Sequence, residues 1–132
     1  NNLKGTIPEE IGLLSSSETL RLPKNNIGGT IPDTIGNMVS LSVIDMSNNK
    51  ITGAIPSTLS GVRDLILLDL SQNQLNSSIP LELYELHFLR ILSLATNRLS
   101  GKLDPSINNM TSLVTLDMRR NEISGTFPLD FD

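Results

Sequence analysis

An asparagine recurs every 24 residues along the whole chain, without a single insertion or deletion. The six positions are Asn1, Asn25, Asn49, Asn73, Asn97 and Asn121. A branched aliphatic residue stands two positions after each of them, as Leu3 and Ile27 illustrate. A fixed period of this length is typical of a supersecondary unit that cannot bury its apolar face alone. Stacked copies of such a unit bury a continuous core, so the repeat predicts a one-dimensional solenoid.

Each repeat contains a short segment in which apolar residues alternate with others. In one repeat the spacing L-x-x-L-x-L places Leu65, Leu68 and Leu70 before Asn73. Because Leu68 and Leu70 are two positions apart, both side chains point to one face of a strand. The equivalent pairs are Leu20/Leu22, Ile44/Met46, Leu92/Leu94 and Leu116/Met118. Stacking these strands predicts a parallel sheet with one face in the core and the other on the concave surface.

The asparagine column is predicted to be structural. A buried asparagine after each strand can bond to backbone groups of its own turn and of adjacent turns, which are costly to leave unpaired. We therefore assign a structural asparagine ladder to Asn25, Asn49, Asn73, Asn97 and Asn121.

A glycine column and a proline column follow the ladder. Gly29 and Gly53 fall where a turn needs unusual backbone angles or close packing. Proline suits the first position of a helix and acidic residues suit its positive end, so Pro32 and Asp33 predict a short helical or 3₁₀ segment on the convex side. Two apolar columns are expected to pack this side: Ile11, Ile35, Leu59, Leu83 and Ile107, then Leu14, Met38, Val62, Leu86 and Met110.

The complete unit reads L-x-x-L-x-L-x-x-N-x-L-x-G-x-I-P-x-x-I/L-x-x-L, and residues 29–32 and 53–56 match its G-x-I-P part. It resembles the plant-specific class of leucine-rich repeat, found in ectodomains of receptor kinases and receptor-like proteins and in polygalacturonase-inhibiting proteins. The resemblance covers essentially the whole chain. It implies an α/β repeat fold, a right-handed leucine-rich repeat solenoid with a parallel concave β-sheet and short 3₁₀ or helical convex segments. It also implies an extracellular, often glycosylated protein, at the cell surface or secreted to the cell wall, that presents a ligand surface.

Several positions depart from the unit. Ser17 replaces a leucine that the following repeats keep, and Ser77 replaces a glycine. Pro23 falls in a strand column and lacks an N–H donor, so it is predicted to weaken its local ladder. Asp104 and Pro105 shift the proline by one position. We interpret these departures as sequence drift.

Residues 1–132 are predicted to form a single solenoid of about five and a half repeats. The resemblance implies capping segments, often with paired cysteines, and this sequence contains no cysteine. Both ends are therefore expected to be uncapped, and the residues expected near open core are Leu3, Ile7, Phe127 and Phe131. Because terminal repeats need polar caps to stay soluble, we expect a fragment of a longer ectodomain, or a short protein that stacks on a partner.

Outward-facing residues of the central strands are the candidate ligand-binding residues. They form a carboxylate row (Asp45, Asp69 and Asp117), an apolar stripe (Val43, Leu67 and Ile91) and a further polar group (Arg90, Ser93 and Arg119). Apolar stripes can anchor a peptide, and arginine is favoured at interfaces. Each group also has a simpler interpretation. The aspartates are common, solvated residues of this repeat class, the apolar stripe can be strand residues shielded by the edge of the coil, and the arginines can be a solvated basic corner. No aromatic residue is expected on this face.

Two N-glycosylation sequons begin at Asn76 and Asn109, and both lie off the predicted concave strands. At this content of asparagine, serine and threonine, chance alone gives two or three such triplets. Their number is therefore no evidence of secretion. If the resemblance holds, both are glycan acceptors that leave the concave face free.

Catalysis has little support in the sequence. His87 is the only histidine, and it falls in a convex-side column. There is no phosphate-cradling motif and no histidine or cysteine cluster for a metal, so we predict no enzyme activity, no cofactor and no metal. A net charge of −4 with both signs scattered gives no nucleic-acid footprint. No apolar run approaches the ~20 residues of a membrane span, so no membrane insertion is predicted.

Three functions remain open. The first is a receptor ectodomain segment that recognises a protein or peptide ligand, or a co-receptor, through the concave or lateral face. The second is an enzyme inhibitor similar to the polygalacturonase-inhibiting proteins. The third is a structural role in which open ends associate end to end. Adsorption to ice or cell-wall polymer is disfavoured, because it needs a regular array and columns such as Lys50, Gln74 and Arg98 vary.

Overall fold

The computed structural model describes residues 2–126, which contain nine strands and five 3₁₀ helices. The strands are β1 (Lys4–Thr6), β2 (Thr19–Arg21), β3 (Asn26–Gly28), β4 (Val43–Asp45), β5 (Thr52–Gly53), β6 (Leu67–Asp69), β7 (Gln74–Leu75), β8 (Ile91–Ser93) and β9 (Thr115–Asp117). The helices are Glu9–Leu13, Asp33–Asn37, Ser57–Gly61, Leu81–Glu85 and Pro105–Asn109. The predicted combination of a parallel sheet and short 3₁₀ segments is confirmed.

Strands β2, β4, β6, β8 and β9 form one parallel sheet in chain order, here called the main sheet. Each residue pairs with the residue 24 positions later, as Ile44 does with Leu68. The inward side chains of the three central strands are fully buried. The predicted one-sided sheet is therefore correct, and its outward face is the one expected to be concave.

A second run of parallel pairing lies after the asparagine ladder, and it was not predicted. Strand β1 pairs with β3, and β5 pairs with β7. Isolated bridges extend the run, as Ser78 with Ser100 and Lys102 with Ser124 show. Strands β1 and β5 contain no buried residue and strands β3 and β7 contain one each, so they carry no alternating apolar pattern that could reveal them.

The helices begin one residue later than predicted. Pro8, Pro32, Pro56 and Pro80 stand at the N-cap with extended backbone, not at the first helical position. Only Pro105 occupies that first position, where Asp104 caps the helix by accepting a hydrogen bond from Ser106 N at 2.8 Å. The shift of the proline by one position therefore gives this helix a side-chain N-cap. The Asp104 carboxylate accepts from the Ser106 amide, and a proline at the N-cap has no side-chain acceptor for that amide.

The core is a single cluster that runs from the first repeat to the last described one. Met38, Val62, Leu86 and Met110 are buried in one column as predicted, whereas Leu14 is half exposed, which corrects that prediction. Leu14 belongs to the first described repeat, and within residues 2–126 only the following repeat packs against its helix. Of the residues expected near open core, Leu3 is exposed and Ile7 is buried, and Phe127 and Phe131 lie outside the described residues.

Candidate ligand-binding surface

The apolar stripe lies in one register line across the main sheet. Val43 pairs with Leu67, and Leu67 pairs with Ile91. All three point away from the core and remain partly accessible, with Ile91 the most exposed at 37%. Thr19 and Thr115 continue the line at its two ends. The stripe is therefore an apolar centre bounded by polar residues.

The carboxylate row runs parallel to the stripe, two residues further along each strand. Asp69 Oδ1 accepts hydrogen bonds from Ser71 N at 2.9 Å and from Ser71 Oγ at 2.6 Å. Asp45 does the same with Ser47. Each carboxylate thus closes a local turn through one oxygen, while the other oxygen makes no hydrogen bond within residues 2–126.

The first strand shows why Pro23 is tolerated at its position. In later repeats the amide of this residue bonds to the aspartate side chain rather than to the neighbouring strand. The first repeat has Arg21 in place of that aspartate and proline in place of the donor. The backbone bonds on either side, Leu22 N to Asp45 O at 2.7 Å and Lys24 N to Ser47 O at 2.9 Å, are intact. Pro23 therefore does not weaken the ladder, contrary to the prediction.

Arg119 pairs with the last carboxylate of the row. Its Nε and Nη2 donate to Asp117 Oδ1 and Oδ2 at 3.0 and 2.9 Å. Hydrogen bonds from the Arg119 side chain, and then from its backbone, hold the pKa of Asp117 below its usual value, and the same pairing raises the pKa of Arg119. The guanidinium is exposed but already paired with a carboxylate of its own chain, so a ligand carboxylate would have to compete with Asp117 for it.

A polar cleft of about 290 Å³ brings together Ser93, Asp117 and Arg119 of the candidate set. Gln72, Thr96 and Arg120 complete much of its wall, and all three have left-handed backbone with φ between 55° and 58°. This conformation turns the chain sharply after each strand. It is uncommon for any residue but glycine, and Thr96 is its least expected occupant because threonine is β-branched.

Arg90 lies apart from the cleft, one residue before β8. It lines a shallow depression of about 430 Å³ with Asp64, Ile66, Phe88 and Ser112. Phe88 is 60% exposed and was not among the candidate residues predicted from the sequence. A signal was present, because the same column holds serine or aspartate in the neighbouring repeats.

The asparagine ladder is fully used by the solenoid itself. Asn73 Oδ1 accepts from Ile51 N at 3.0 Å, and Nδ2 donates to Met46 O and Leu70 O at 2.9 and 3.2 Å. The same pattern recurs at Asn49 and Asn97. Asn121 forms all three bonds and Asn25 forms two of them, and Asn1 lies outside the described residues. The ladder offers no polar atom to a ligand.

The sequon asparagines and the histidine lie away from the main sheet. Asn76 follows β7, Asn109 ends the fifth helix, and both are exposed. His87 Nδ1 lies 3.0 Å from the Asn109 carbonyl oxygen and Nε2 lies 3.8 Å from Glu85. No group of side chains suited to hold a metal ion occurs within residues 2–126. In the same part of the chain, no helix has the length and apolarity that crossing a membrane requires.

Tyr84 is the one described side chain with a buried polar atom that lacks a hydrogen bond. Burial raises the pKa of its hydroxyl, and the nearby backbone of Asp104 partly opposes this shift. The distance or angle between the hydroxyl and that backbone does not make a hydrogen bond. Hydrogen bonds from Ser106 lower the pKa of Asp104. These two residues join the fourth and fifth helices on the convex side and take no part in the outward face of the main sheet.

A strand, an asparagine turn, a second short strand and a 3₁₀ helix, repeated in register, define a leucine-rich repeat solenoid. The chain belongs to the leucine-rich repeat family. Matches to the family described as "Leucine rich repeat" cover residues 15–75 and 40–99, and one described as "Leucine Rich Repeat" covers residues 112–132. No curated protein sequence matches the chain.

Solved structures similar to this chain are plant receptor ectodomains. The ectodomain of the membrane receptor kinase GASSHO1/SCHENGEN3 from Arabidopsis thaliana, in complex with CASPARIAN STRIP INTEGRITY FACTOR 2, is 41% identical over 97% of the chain, with a TM-score of 0.94. The Arabidopsis receptor kinase HAESA, in complex with the peptide hormone IDA and the co-receptor SERK1, is 32% identical over 97% of the chain, with a TM-score of 0.93. The ectodomain of the receptor kinase SOBIR1 from Arabidopsis thaliana is 34% identical over 93% of the chain, with a TM-score of 0.85.

This chain spans 15% of the GASSHO1/SCHENGEN3 chain, 22% of the HAESA chain and 67% of the SOBIR1 chain. The resemblance to the plant extracellular class, predicted from the G-x-I-P segments, is confirmed by these structures.

Proposed function

We propose that this chain is an extracellular recognition segment of a plant leucine-rich repeat receptor, and that it binds a peptide or a co-receptor through the outward face of the main sheet. The observation that carries the proposal is the in-register stripe of Val43, Leu67 and Ile91. Two of the similar ectodomains are described in complex with CASPARIAN STRIP INTEGRITY FACTOR 2 or with the peptide hormone IDA and the co-receptor SERK1.

The physical arrangement of this face suits protein recognition. An apolar centre can anchor a side chain of the partner, while a polar rim supplies hydrogen bonds that fix its register. The free oxygens of Asp45 and Asp69 and the hydroxyl of Ser93 supply acceptors beside the stripe. Five strands at ~4.8 Å spacing extend ~19 Å across the sheet, and each strand of three residues is only ~10 Å long, so the planar area of this face is on the order of 200 Å². A standard interface takes ~800 Å² per partner. We therefore assign part of a binding surface to this chain, with further repeats supplying the rest.

An extracellular location makes Asn76 and Asn109 the proposed glycan acceptors. Both are exposed, and both lie outside the main sheet. Glycans at these positions leave the stripe accessible, so glycosylation and recognition are compatible on one solenoid.

The test is a selection of displayed random peptides on the wild-type chain, followed by binding measurements with synthetic peptides. We expect a class of peptides whose affinity falls about tenfold or more in Leu67→Arg, because a charge then replaces the centre of the apolar stripe. Val39→Arg is the matched control, since Val39 is also exposed but lies outside the main sheet, after the second helix. Circular dichroism checks that both variants fold.

Peptides that bind the folded Leu67→Arg variant as tightly as the wild type would refute a role for the stripe. Inhibition of a polygalacturonase by the wild-type chain would instead favour the inhibitor function. A light-scattering mass that rises with concentration would favour end-to-end association.

A further inference from the structure

An exposed cluster at the amino-terminal ends of strands β6, β8 and β9, here called the edge patch, consists of Ile66, Phe88, Arg90 and Val114. We propose that the edge patch is a second docking surface, for a protein loop that presents an apolar side chain next to a carboxylate. Ile66 and Arg90 stand one residue before Leu67 and Ile91 of the stripe, and the proposal does not depend on ligand binding on the stripe.

The edge patch is a contiguous surface because backbone hydrogen bonds stack its members. Arg90 N donates to Ile66 O at 2.8 Å, and Val114 N donates to Arg90 O at 2.8 Å. Three consecutive repeats therefore place these side chains side by side, at the ~4.8 Å spacing of a sheet. Phe88 stands two residues before Arg90 and lines the same depression. Ile66, Phe88 and Val114 are 43%, 60% and 72% exposed, so the apolar surface is open to solvent.

The chemistry of these columns changes along the chain. The positions equivalent to Ile66 and Val114 hold Glu18 and Ser42 in the first two repeats. The positions equivalent to Phe88 hold Ser40, Asp64 and Ser112. Apolar residues at these places fill no core and are not required by the repeat. Contiguous exposed apolar residues of this kind mark interaction sites.

Arg90 selects the partner. Its guanidinium forms no ion pair within 4.0 Å in the described part of the chain, unlike Arg119. An arginine beside apolar side chains binds a carboxylate bidentately, and an apolar partner group that displaces water strengthens that pair. Asp64 lines the same depression and repels a second carboxylate there. The partner's acid must therefore meet the Arg90 side, with its apolar residue against Phe88 and Ile66.

The experiment uses the same displayed library of random peptides, with the bound pool compared between the wild-type chain and Phe88→Ser. We expect peptides lost in Phe88→Ser to carry an aspartate or glutamate next to an aromatic or aliphatic residue. Synthetic copies should bind about tenfold or more weakly to Phe88→Ser and to Arg90→Gln. Asp64→Asn should bind them equally or more tightly, because a repulsive charge is removed. Both Phe88 and Arg90 are exposed, so circular dichroism should show native folding in each variant.

Three results would overturn the proposal. Enriched peptides without an acidic residue, or with unchanged affinity for Arg90→Gln, would remove the assigned chemistry. Loss of the same peptides in Leu67→Arg would place them on the stripe, whereas we expect that variant to bind them normally. A dimer of the wild-type chain alone that disappears in Phe88→Ser would make a second copy the occupant. If the stripe of Val43, Leu67 and Ile91 binds no ligand, these three measurements still test the edge patch.

Discussion

The asparagine ladder and the carboxylate row are both polar columns in the 24-residue register, although Ser93 interrupts the row, and the chain uses them differently. Asn73 is buried, and both its amide oxygen and its amide nitrogen bond to backbone groups. Asp69 is half-buried and commits one carboxylate oxygen to Ser71, in its own turn. Regularity alone therefore does not separate structural from functional columns. The distinction lies in which polar atoms the solenoid has already used.

The difference also concerns reach along the solenoid. Asn73 joins two consecutive turns, since it donates to Leu70 O of its own turn and to Met46 O of the preceding turn, and accepts from Ile51 N of that preceding turn. Asp69 bonds only within its own turn. The ladder is therefore a device for stacking repeats, and the row is a device for shaping the outward face.

The largest expected effect is on the ladder. Asn73→Ala should lower the free energy of unfolding by about 1–3 kcal/mol, because it orphans the buried amide of Ile51 and removes one of two side-chain donors from Met46 O and from Leu70 O. Denaturant unfolding followed by circular dichroism measures this change. Asn121→Ala is the control: Asn121 is less buried, so water can replace part of its bonding and the loss should be smaller. Equal losses at the two positions would mean that burial does not set the value of the ladder.

Prediction from the sequence was most accurate for features that are determined within a single repeat. The alternation of Leu68 and Leu70 predicts the main sheet, because a period of two has one meaning in a buried strand. Gly29 and Gly53 were expected to need unusual backbone angles, and both have positive φ, of 69° and 79°. These features depend on local backbone geometry, which the residue type reports directly.

The features that were missed depend on contacts between repeats. The strands of the second run contain at most one buried residue each, so they show no alternating pattern. Pro23 lacks an N–H donor, and it is tolerated because Arg21 stands where later repeats have the aspartate that accepts from this amide. Phe88 is prominent only when its position is compared with Asp64 and Ser112 in adjacent turns. Such relations are spread over 24 residues or more, and single-repeat patterns do not contain them.

A smaller effect is expected from the carboxylate row. Asp69→Ala removes two hydrogen bonds from Ser71 in a partly solvated turn, so it should cost about 1 kcal/mol or less. Asp69→Asn retains an acceptor at the same place and should be nearly neutral. The two variants are compared by denaturant unfolding under the same conditions as Asn73→Ala. A loss in Asp69→Ala as large as that in Asn73→Ala would show that the row stacks repeats as the ladder does.

The smallest effect is expected in the glycine column, where Ser77 has φ 66°. Its neighbour explains how it fits. A Cβ placed on Gly53 would lie 2.7 Å from Thr30 Cγ2, and one on Gly29 would lie 2.8 Å from Thr6 Cγ2. The residue 23 positions before Ser77 is Ala54, which has no γ atoms. The absence of γ atoms at Ala54 therefore leaves room for the Cβ of Ser77.

A double-mutant cycle tests this pairing. Left-handed backbone costs a residue with a side chain about 1–2 kcal/mol, and the greater unfolded entropy of glycine offsets about half of that. Ser77→Gly should therefore stabilise the chain by about 0.5 kcal/mol, measured as an increase in the free energy of unfolding. Ala54→Thr should destabilise the wild type by a similar small amount and have no effect in the Ser77→Gly background, because its γ atoms then meet no Cβ. Additive effects in the cycle would show that γ atoms at position 54 do not contact the Cβ of Ser77, and that the serine is tolerated for a reason other than the missing γ atoms of Ala54.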